Sequence, residues 1–222
     1  MKDYHAPLYP GNYYHIFNRG NNRENLFAND GNYIFFLEKV QKYLLVYLKI
    51  FAYCLMPNHF HFLAQVRSEP EIKENLPNIF TKPHPSNFTK LSKFSKVAEP
   101  LDANKLLEDS FQHFFISYSL AYNKQQRRTG SLFEKRFKRI HIESERYLIK
   151  LLHYVHNNPI HHRFCKEYGD WRYSSYNAII GQQKTNVEKD AVIAWFGSVD
   201  NFIEFHQQMI DYGEIQEYLF DE

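Results

Sequence analysis

Two histidines separated by one residue are the first feature of the sequence that could do chemistry. They are His59 and His61, within the run MPNHFHF at positions 56–62. Because side chains two apart on a strand point to the same face, the two imidazoles would stand side by side, with Phe60 and Phe62 facing the other way. Two imidazoles from one strand make half of a metal site. The motif alone leaves open two stacked surface histidines, since the chain contains 12 histidines.

A tyrosine and an asparagine on one helix face form a second candidate group. Tyr154 and Asn158 are four residues apart, in the run HYVHNNP at positions 153–159. A tyrosine hydroxyl has an ordinary pKa of about 10, so it becomes a useful nucleophile beside a metal ion that polarises a phosphate. The amide oxygen of Asn158 is a ligand for a hard cation. The alternative is a half-buried core tyrosine followed by a polar residue at the end of the helix.

The distribution of charge favours a polyanionic partner. The net charge of +2 divides into −8 from residue 187 onwards, with nine acids and the single base Lys189, and +10 for the rest of the chain. The densest basic run extends from Lys124 to Arg139 and contains one acid, Glu134. Cations bind phosphates, and aromatic rings can stack on unpaired bases. We therefore expect the cations of this run to face nucleic acid and its phenylalanines to face the core. The acidic end could cover the basic body, steer it or form a solvated helix, and we favour the solvated helix.

Composition excludes several classes of protein. The chain has 222 residues, of which 44% are hydrophobic and 23% charged, as in an ordinary globular protein with one domain and additional segments. It lacks the run of roughly 18 apolar residues that a membrane span needs, and its N-terminus lacks the apolar run of a signal peptide. Cys54 and Cys165 form neither a metal knuckle nor a disulfide framework. These features predict a reducing, cytoplasmic location.

The hydrophobic periodicity predicts an α+β fold. A strand at 13–19 precedes a helix at about 32–47 and a hairpin of strands at 49–55 and 59–66. A Pro-rich insertion at about 68–109 is expected to contain short helices or partial disorder. A helix at 110–127 and a strand at 136–142 complete the order, and a further helix at 144–157, ended by Pro159, follows it. This β-α-β-β-α-β order predicts a ferredoxin-like split βαβ sandwich, an antiparallel sheet with helices on one face, plus a C-terminal helical extension.

Five sequence blocks in one order resemble a known family. The blocks are YYHIFNRG at 13–20, MPNHFH at 56–61, GSLFEKRFK at 130–138, YVHNNP at 154–159 and WRYSSY at 171–176. In this order they resemble the single-tyrosine HUH transposases of the insertion-sequence type, in the branch called REP-associated tyrosine transposases. The resemblance implies a catalytic domain over residues 8–180, interrupted by the insertion at about 68–109, and leaves 187–222 as an acidic helical tail.

The resemblance implies a role for each residue of the two candidate groups. The family's paired histidines correspond to His59 and His61, which would bind Mg²⁺ or Mn²⁺, and the helix-borne third ligand corresponds to Asn158. The family's nucleophile corresponds to Tyr154, which would attack a phosphodiester of single-stranded or hairpin DNA and leave a 5′-phosphotyrosine link. The family fold agrees with the predicted order of elements. The resemblance is compatible with a homodimer, with the active site within one chain or shared between two.

The remaining site residues are cations and further histidines. We expect Arg136, Lys138 and Arg139 to follow the DNA backbone, together with Arg19 from the first strand. The other histidines near the tyrosine are expected to be structural or to face DNA, with His156 in reserve as a ligand. Two alternatives remain open at this point. One is a domesticated DNA-binding protein with little cleavage activity, and the other is a zinc-dependent phosphoesterase that uses His59, His61, His156 and a water nucleophile.

Overall fold

The computed structural model describes residues 4–76 and 102–219. At its centre is a four-stranded sheet in the order β2-β3-β1-β4, in which every pairing is antiparallel. This is the strand order of a split βαβ unit, and it confirms the predicted fold. The strands are β1 (Tyr13–Arg19), β2 (Leu48–Met56), β3 (His59–Val66) and β4 (Lys138–Ile142).

Helices connect the strands and continue beyond them. Within the described ranges, three short 3-10 helices lie at Asn21–Arg23, Tyr168–Asp170 and Gly213–Tyr218, and α5, α6 and α7 form the predicted C-terminal extension. None of the helices in the described ranges has both the length and the apolar character needed to cross a membrane. The α-helices of these ranges are α1 (Asp30–Tyr43), α2 (Glu69–Asn75), α3 (Ala103–Gln126), α4 (Glu145–His161), α5 (Tyr176–Ile180), α6 (Lys189–Phe196) and α7 (Val199–His206).

The sheet is covered on both faces, and the two faces have different partners. On one face Phe60 and Phe62 of β3 pack against Phe36 of α1, which also contacts Phe114 of α3. These two helices belong to the split βαβ unit and share one face, as predicted. The opposite face packs against α4 and the C-terminal extension. The odd-numbered side chains of β3, including both histidines of the HxH motif, therefore face α4.

The helix boundaries differ from the sequence-based expectation within the insertion. Helix α3 begins at Ala103 rather than Ser110, because the Asp102 carboxylate accepts the Lys105 backbone N–H at 3.0 Å and caps the helix. At the other end of the insertion, Ser68 and Glu71 form a capping box that starts α2. The remaining residues of the predicted insertion, 77–101, lie outside the described residues.

The helix that carries Tyr154 continues past its proline. The expectation that Pro159 ends this helix was wrong, since α4 extends to His161 with Pro159 buried inside it. Proline removes one backbone donor, but the residues after it keep theirs: His162 N–H donates to the Asn158 carbonyl at 3.0 Å and Phe164 N–H to the Pro159 carbonyl at 2.8 Å. The apolar face of α4 against the sheet outweighs the cost of the lost hydrogen bond. One continuous helical face consequently runs beyond Asn158.

Candidate active site

The histidine pair lies at the start of β3, directly after the tight turn that joins it to β2. His59 and His61 are both buried, with 2% and 0% of their surface exposed. Their rings are 5.0 Å apart and stand at 87° to each other. Both lie on the sheet face that α4 covers. The alternation predicted from the sequence is thus present, and it places the two imidazoles next to each other beneath a helix.

Hydrogen bonds hold the inner nitrogen of each ring. Nδ1 of His59 contacts Oδ1 of Asn58 at 2.7 Å, and Nδ1 of His61 contacts Nε2 of His15 at 2.9 Å. Both histidines therefore present Nε2, which is buried in each ring. Burial holds the pKa of His61 well below its usual value, and the neighbouring His59, His15 and His162 lower it further. His61 is thus a neutral imidazole at pH 7, the form that binds metal ions.

One face of helix α4, formed by residues spaced four apart, lies against the histidine pair. The ring of Tyr154 lies 5.6 Å from that of His61, and the ring of His162 lies 5.8 Å from that of His59. Asn158 is one turn from each of these two contacts, on the same helix face. The part of α4 that carries Asn158 therefore lies over the histidine pair, and Tyr154 is partly exposed beside it.

The orientation of Asn158 decides which of its atoms is available to a cation. Its Nδ2 donates to the Tyr154 carbonyl at 2.8 Å, so Oδ1 is the atom left to bind a cation. Two imidazole nitrogens and one amide oxygen fit a divalent ion that completes its shell with water or phosphate oxygens. Within residues 4–76 and 102–219, no three His, Cys, Asp or Glu side chains converge to hold a metal ion. The histidine pair would accordingly depend on Asn158 as its third protein ligand.

Two of the predicted DNA-facing cations lie beside the histidine pair and share one carboxylate. Arg19 is opposite His59 in the β1–β3 pairing, and its Nε donates to Glu134. Nζ of Lys138 is 3.5 Å from the same carboxylate and 6.0 Å from the ring of Phe17. That ring is in turn 6.0 Å from His61. Arg19 and Lys138 are only partly exposed, at the edge of the candidate site.

The other two predicted cations have very different environments. Arg136 is exposed, adopts a left-handed φ of 60° and makes no ion pair within the described part of the chain. It lines an open cleft of about 710 Å³ between α3 and the 130–137 segment. Arg139 is 7% exposed, donates from Nε to the Ala6 carbonyl at 2.8 Å and pairs with Glu108. Its guanidinium is thus occupied by contacts within the protein.

His153 and His156 of α4 point away from the pair, into a separate buried cluster. Nδ1 of His156 contacts Nε2 of His206 at 2.9 Å, and Nε2 of His156 contacts Oγ of Ser175 at 2.7 Å. His153 contacts the hydroxyl of Tyr212 through Nδ1 at 2.6 Å. Since both nitrogens of His156 have partners in this cluster, the structure gives no support to its reserve role as a ligand beside His59 and His61.

Three residues contact the pair in ways that the sequence did not predict: His15, Asn58 and His162. His162 was expected near Tyr154, but only as a structural or DNA-facing residue. His15 and Asn58 lie inside two of the five sequence blocks, yet nothing local indicates that they bond to His61 and His59. A signal for His15 lay in the predicted split βαβ fold, which places its first strand beside the third. With the two-residue alternation, His15 then lies on the face of the pair. For His162 the signal was its spacing of eight residues from Tyr154, which indicates a shared helix face. The expectation that the helix ends at Pro159 concealed this signal.

Of the comparisons with known proteins, the one with solved structures supports the fold and goes no further. No family model matches the chain, and no curated protein matches it. Among solved structures, the fold is similar to that of a REP-associated tyrosine transposase bound to a REP hairpin, with a TM-score of 0.50 and 12% sequence identity. The similarity covers 82% of this chain and 87% of the other. At this identity the likeness is one of fold.

Proposed function

We propose that this chain is a transposase-like DNA strand-transfer enzyme of the HUH type, with residues 8–180 as its catalytic unit. It cleaves and rejoins single-stranded DNA through a covalent bond to Tyr154. The observation that supports this most directly is the contact between Tyr154 of α4 and His61 of β3, with rings 5.6 Å apart. A nucleophile must lie next to the group that activates its target, and these are the two residues that the family resemblance pairs.

The proposed reaction is a transesterification at phosphorus. The hydroxyl oxygen of Tyr154 forms a bond to the phosphorus of a DNA phosphodiester, and the bond from phosphorus to the 3′ oxygen breaks. The proton lost by the phenol is balanced by the proton gained at the 3′ oxygen, which leaves as a free 3′-OH. The 5′ phosphate of the fragment on the 3′ side of the break remains attached to Tyr154 as a phosphotyrosine. Attack by a 3′-OH on this bond reverses the chemistry and joins strands without an external energy source.

The proposed ligands for a divalent cation are Nε2 of His59 and of His61, with Oδ1 of Asn158. Mg²⁺ or Mn²⁺ bound there would supply positive charge that polarises the scissile phosphate. Helix α4 orients the nucleophile toward the ligand pair, because it carries both Tyr154 and Asn158 one turn apart. His61 contributes as a neutral imidazole, which is the form that burial imposes on it.

The proposed substrate is single-stranded DNA, next to a hairpin. Arg19 and Lys138, at the edge of the site, would bind the phosphates closest to the scissile bond, and Arg136 would bind the strand farther away. The excess of +10 charge outside the acidic C-terminal segment supports a polyanionic partner. The solved structure with a similar fold holds a REP hairpin. We extend that DNA form to this chain as part of the proposal.

A labelling experiment tests the proposal. The protein is incubated in Mn²⁺ with a pool of single strands that carry randomised flanks beside a stable hairpin, labelled at either end. After denaturation, we expect the 3′-side fragment to remain attached to a peptide that contains Tyr154. Tyr154→Phe should abolish the adduct and leave DNA binding unchanged, because it removes only the hydroxyl. Tyr147→Phe is the matched control, since Tyr147 lies on the same helix two turns earlier.

Each alternative has its own outcome in this experiment. Binding without cleavage in wild-type protein would identify a DNA-binding protein and overturn the proposed activity. Cleavage with multiple turnover and no adduct would identify a phosphoesterase with a water nucleophile. An adduct that maps to Tyr147 would contradict the assignment of Tyr154.

A further inference from the structure

A hydrogen bond between two buried histidines lies directly behind the proposed metal ligands. Nε2 of His15 and Nδ1 of His61 are 2.9 Å apart, and both side chains are fully buried. The ring planes differ by only 20° and the centroids are 5.2 Å apart. Rings in this arrangement meet edge to edge, so the nitrogen lone pair of one points along the N–H bond of the other. The geometry is that of a directed hydrogen bond rather than of stacked rings.

The position of the proton in this bond decides whether His61 can bind a metal ion. A neutral imidazole carries one N–H and one lone pair. If His15 donates, Nδ1 of His61 carries the lone pair and Nε2 carries the proton, which prevents metal binding at Nε2. If His61 donates from Nδ1, its Nε2 lone pair is available. The second state requires His15 to accept at Nε2 and to carry its own proton on Nδ1.

The other histidine of the pair is held in a different way. His59 contacts an amide oxygen, Oδ1 of Asn58, which can only accept. The proton of His59 therefore lies on Nδ1, and its Nε2 lone pair is available without further help. The tautomer of His61, by contrast, depends on a second ring that can either accept or donate. His15 is consequently the group that decides whether the pair acts as two ligands or as one.

We infer that His15 is a positioning residue of the proposed metal site: by accepting a hydrogen bond from Nδ1 of His61, it keeps the Nε2 lone pair of His61 directed at a divalent cation. The inference rests on the proposed function and adds a residue to it. His15 also contacts the rings of Phe17, at 4.6 Å, and Tyr154, at 6.1 Å. It is thus packed between a strand neighbour and the proposed nucleophile, which fixes the plane of its ring. Partners of this kind raise metal affinity by about 10- to 100-fold in known sites.

The test measures Mn²⁺ affinity directly, without any cleavage. Free Mn²⁺ is titrated into purified protein and followed by electron paramagnetic resonance. His15→Gln keeps an acceptor oxygen at the reach of Nε2, whereas His15→Asn keeps a polar amide but is one carbon too short. We expect His15→Asn to weaken Mn²⁺ binding by about 10- to 100-fold and His15→Gln to stay close to wild type. The matched control is His141→Asn, on β4, whose ring packs against Tyr14 on the opposite face of the sheet.

Comparison of the two variants distinguishes a positioning role of His15 from a packing role. The wild-type titration distinguishes failure of this inference from failure of the proposed function. Far-UV circular dichroism and thermal unfolding check that the variants fold. If both lose stability equally but only His15→Asn loses affinity, the positioning role is supported. Equal Mn²⁺ affinity in wild type, His15→Asn and His15→Gln would overturn it while leaving the proposed function intact. Wild-type protein that does not bind Mn²⁺ would overturn the metal site itself, whereas the Tyr154 adduct experiment tests the nucleophile independently.

Discussion

The ring of Tyr154 stands at 84° to the ring of His61, with 5.6 Å between the centroids. On its other side Tyr154 stands at 85° to Tyr212, at 5.8 Å. The tyrosine is therefore held edge-on between a strand of the sheet and the C-terminal segment. These two contacts hold the ring in one place, so packing sets the position of its hydroxyl oxygen. This arrangement gives the proposed nucleophile a fixed position relative to the proposed ligands.

Replacing His61 tests the metal requirement. We expect His61→Ala to remove cleavage in both Mg²⁺ and Mn²⁺, because one imidazole and one amide are too few protein ligands to hold the ion. Single-strand binding in the absence of metal should remain within about twofold of wild type, since no cation of the DNA surface is altered. Cleavage is measured on the labelled hairpin pool, with thermal unfolding as the check on folding.

The control for this prediction is His141→Ala, which removes an imidazole from the other face of the sheet. It should cleave like wild type. Undiminished cleavage by His61→Ala would exclude His61 as a ligand, and equal loss in both variants would point to a general loss of structure.

The exposed cations should account for the salt dependence of DNA binding. Each phosphate contact removed from a single strand lowers the slope of log affinity against log salt by about 0.7. We expect Arg136→Gln and Lys138→Gln each to reduce the slope by this amount, measured by titration of single strands at several salt concentrations. Lys73→Gln removes the same charge from α2, where Lys73 pairs with Glu69, and should leave the slope unchanged. An unchanged slope in Arg136→Gln would count against its contact with phosphate.

Arg139 should affect stability rather than salt dependence. Its buried guanidinium contacts Glu108 and the Ala6 carbonyl, so Arg139→Gln leaves both partners without a full replacement. We expect a loss of about 1 to 3 kcal/mol in the free energy of unfolding, measured in urea, with the salt slope unaltered. A reduced slope with unchanged stability would instead show that Arg139 releases its internal partners to bind DNA, as the sequence had suggested.

Patterns that are local in sequence predicted the framework of this fold and the orientation of the histidine pair. Period-two alternation placed His59 and His61 on one face with Phe60 and Phe62 on the other, and the order of elements predicted the antiparallel sheet. These features depend on neighbouring residues along one chain segment, which the sequence displays directly.

Features that depend on distant contacts could not be predicted in the same way. Proline normally ends a helix, but burial of α4 against the sheet keeps Pro159 inside it. The burial of Arg139 was hidden for a similar reason, since its partner Glu108 lies on α3 and Ala6 precedes β1. The bond between His15 and His61 joins two strands whose register appears only in the folded sheet. In each case tertiary packing overrides the local signal.

Buried neutral histidines should make stability depend on pH. Burial lowers the pKa of His153 to about 4 and that of His206 to about 3, while backbone carbonyls oppose the shift in each case. The groups facing them are neutral: Tyr168 and Tyr212 around His153, and His156 and Tyr176 around His206. The histidines of the unfolded chain take up protons near pH 6.5, whereas these two in the folded chain do not. Their contribution to stability is therefore fully present above pH 6.5 and is lost as the pH drops toward 4.

This pH window can be separated from the titration of carboxylates. Salt-bridged Glu71, with a pKa lowered to about 2, loses its contribution only between about pH 4.5 and 2. Between pH 6.5 and 4.5 we therefore expect the urea midpoint to fall. The free energy of unfolding should decrease by roughly 2 kcal/mol or more, since one unit of pKa shift corresponds to about 1.4 kcal/mol. His206→Phe keeps a ring in the cluster but removes one titrating group. It should be less stable than wild type at pH 7 and show a shallower decline over this window, whereas a wild-type midpoint that is constant from pH 7 to 4.5 would contradict the assignment of neutral histidines.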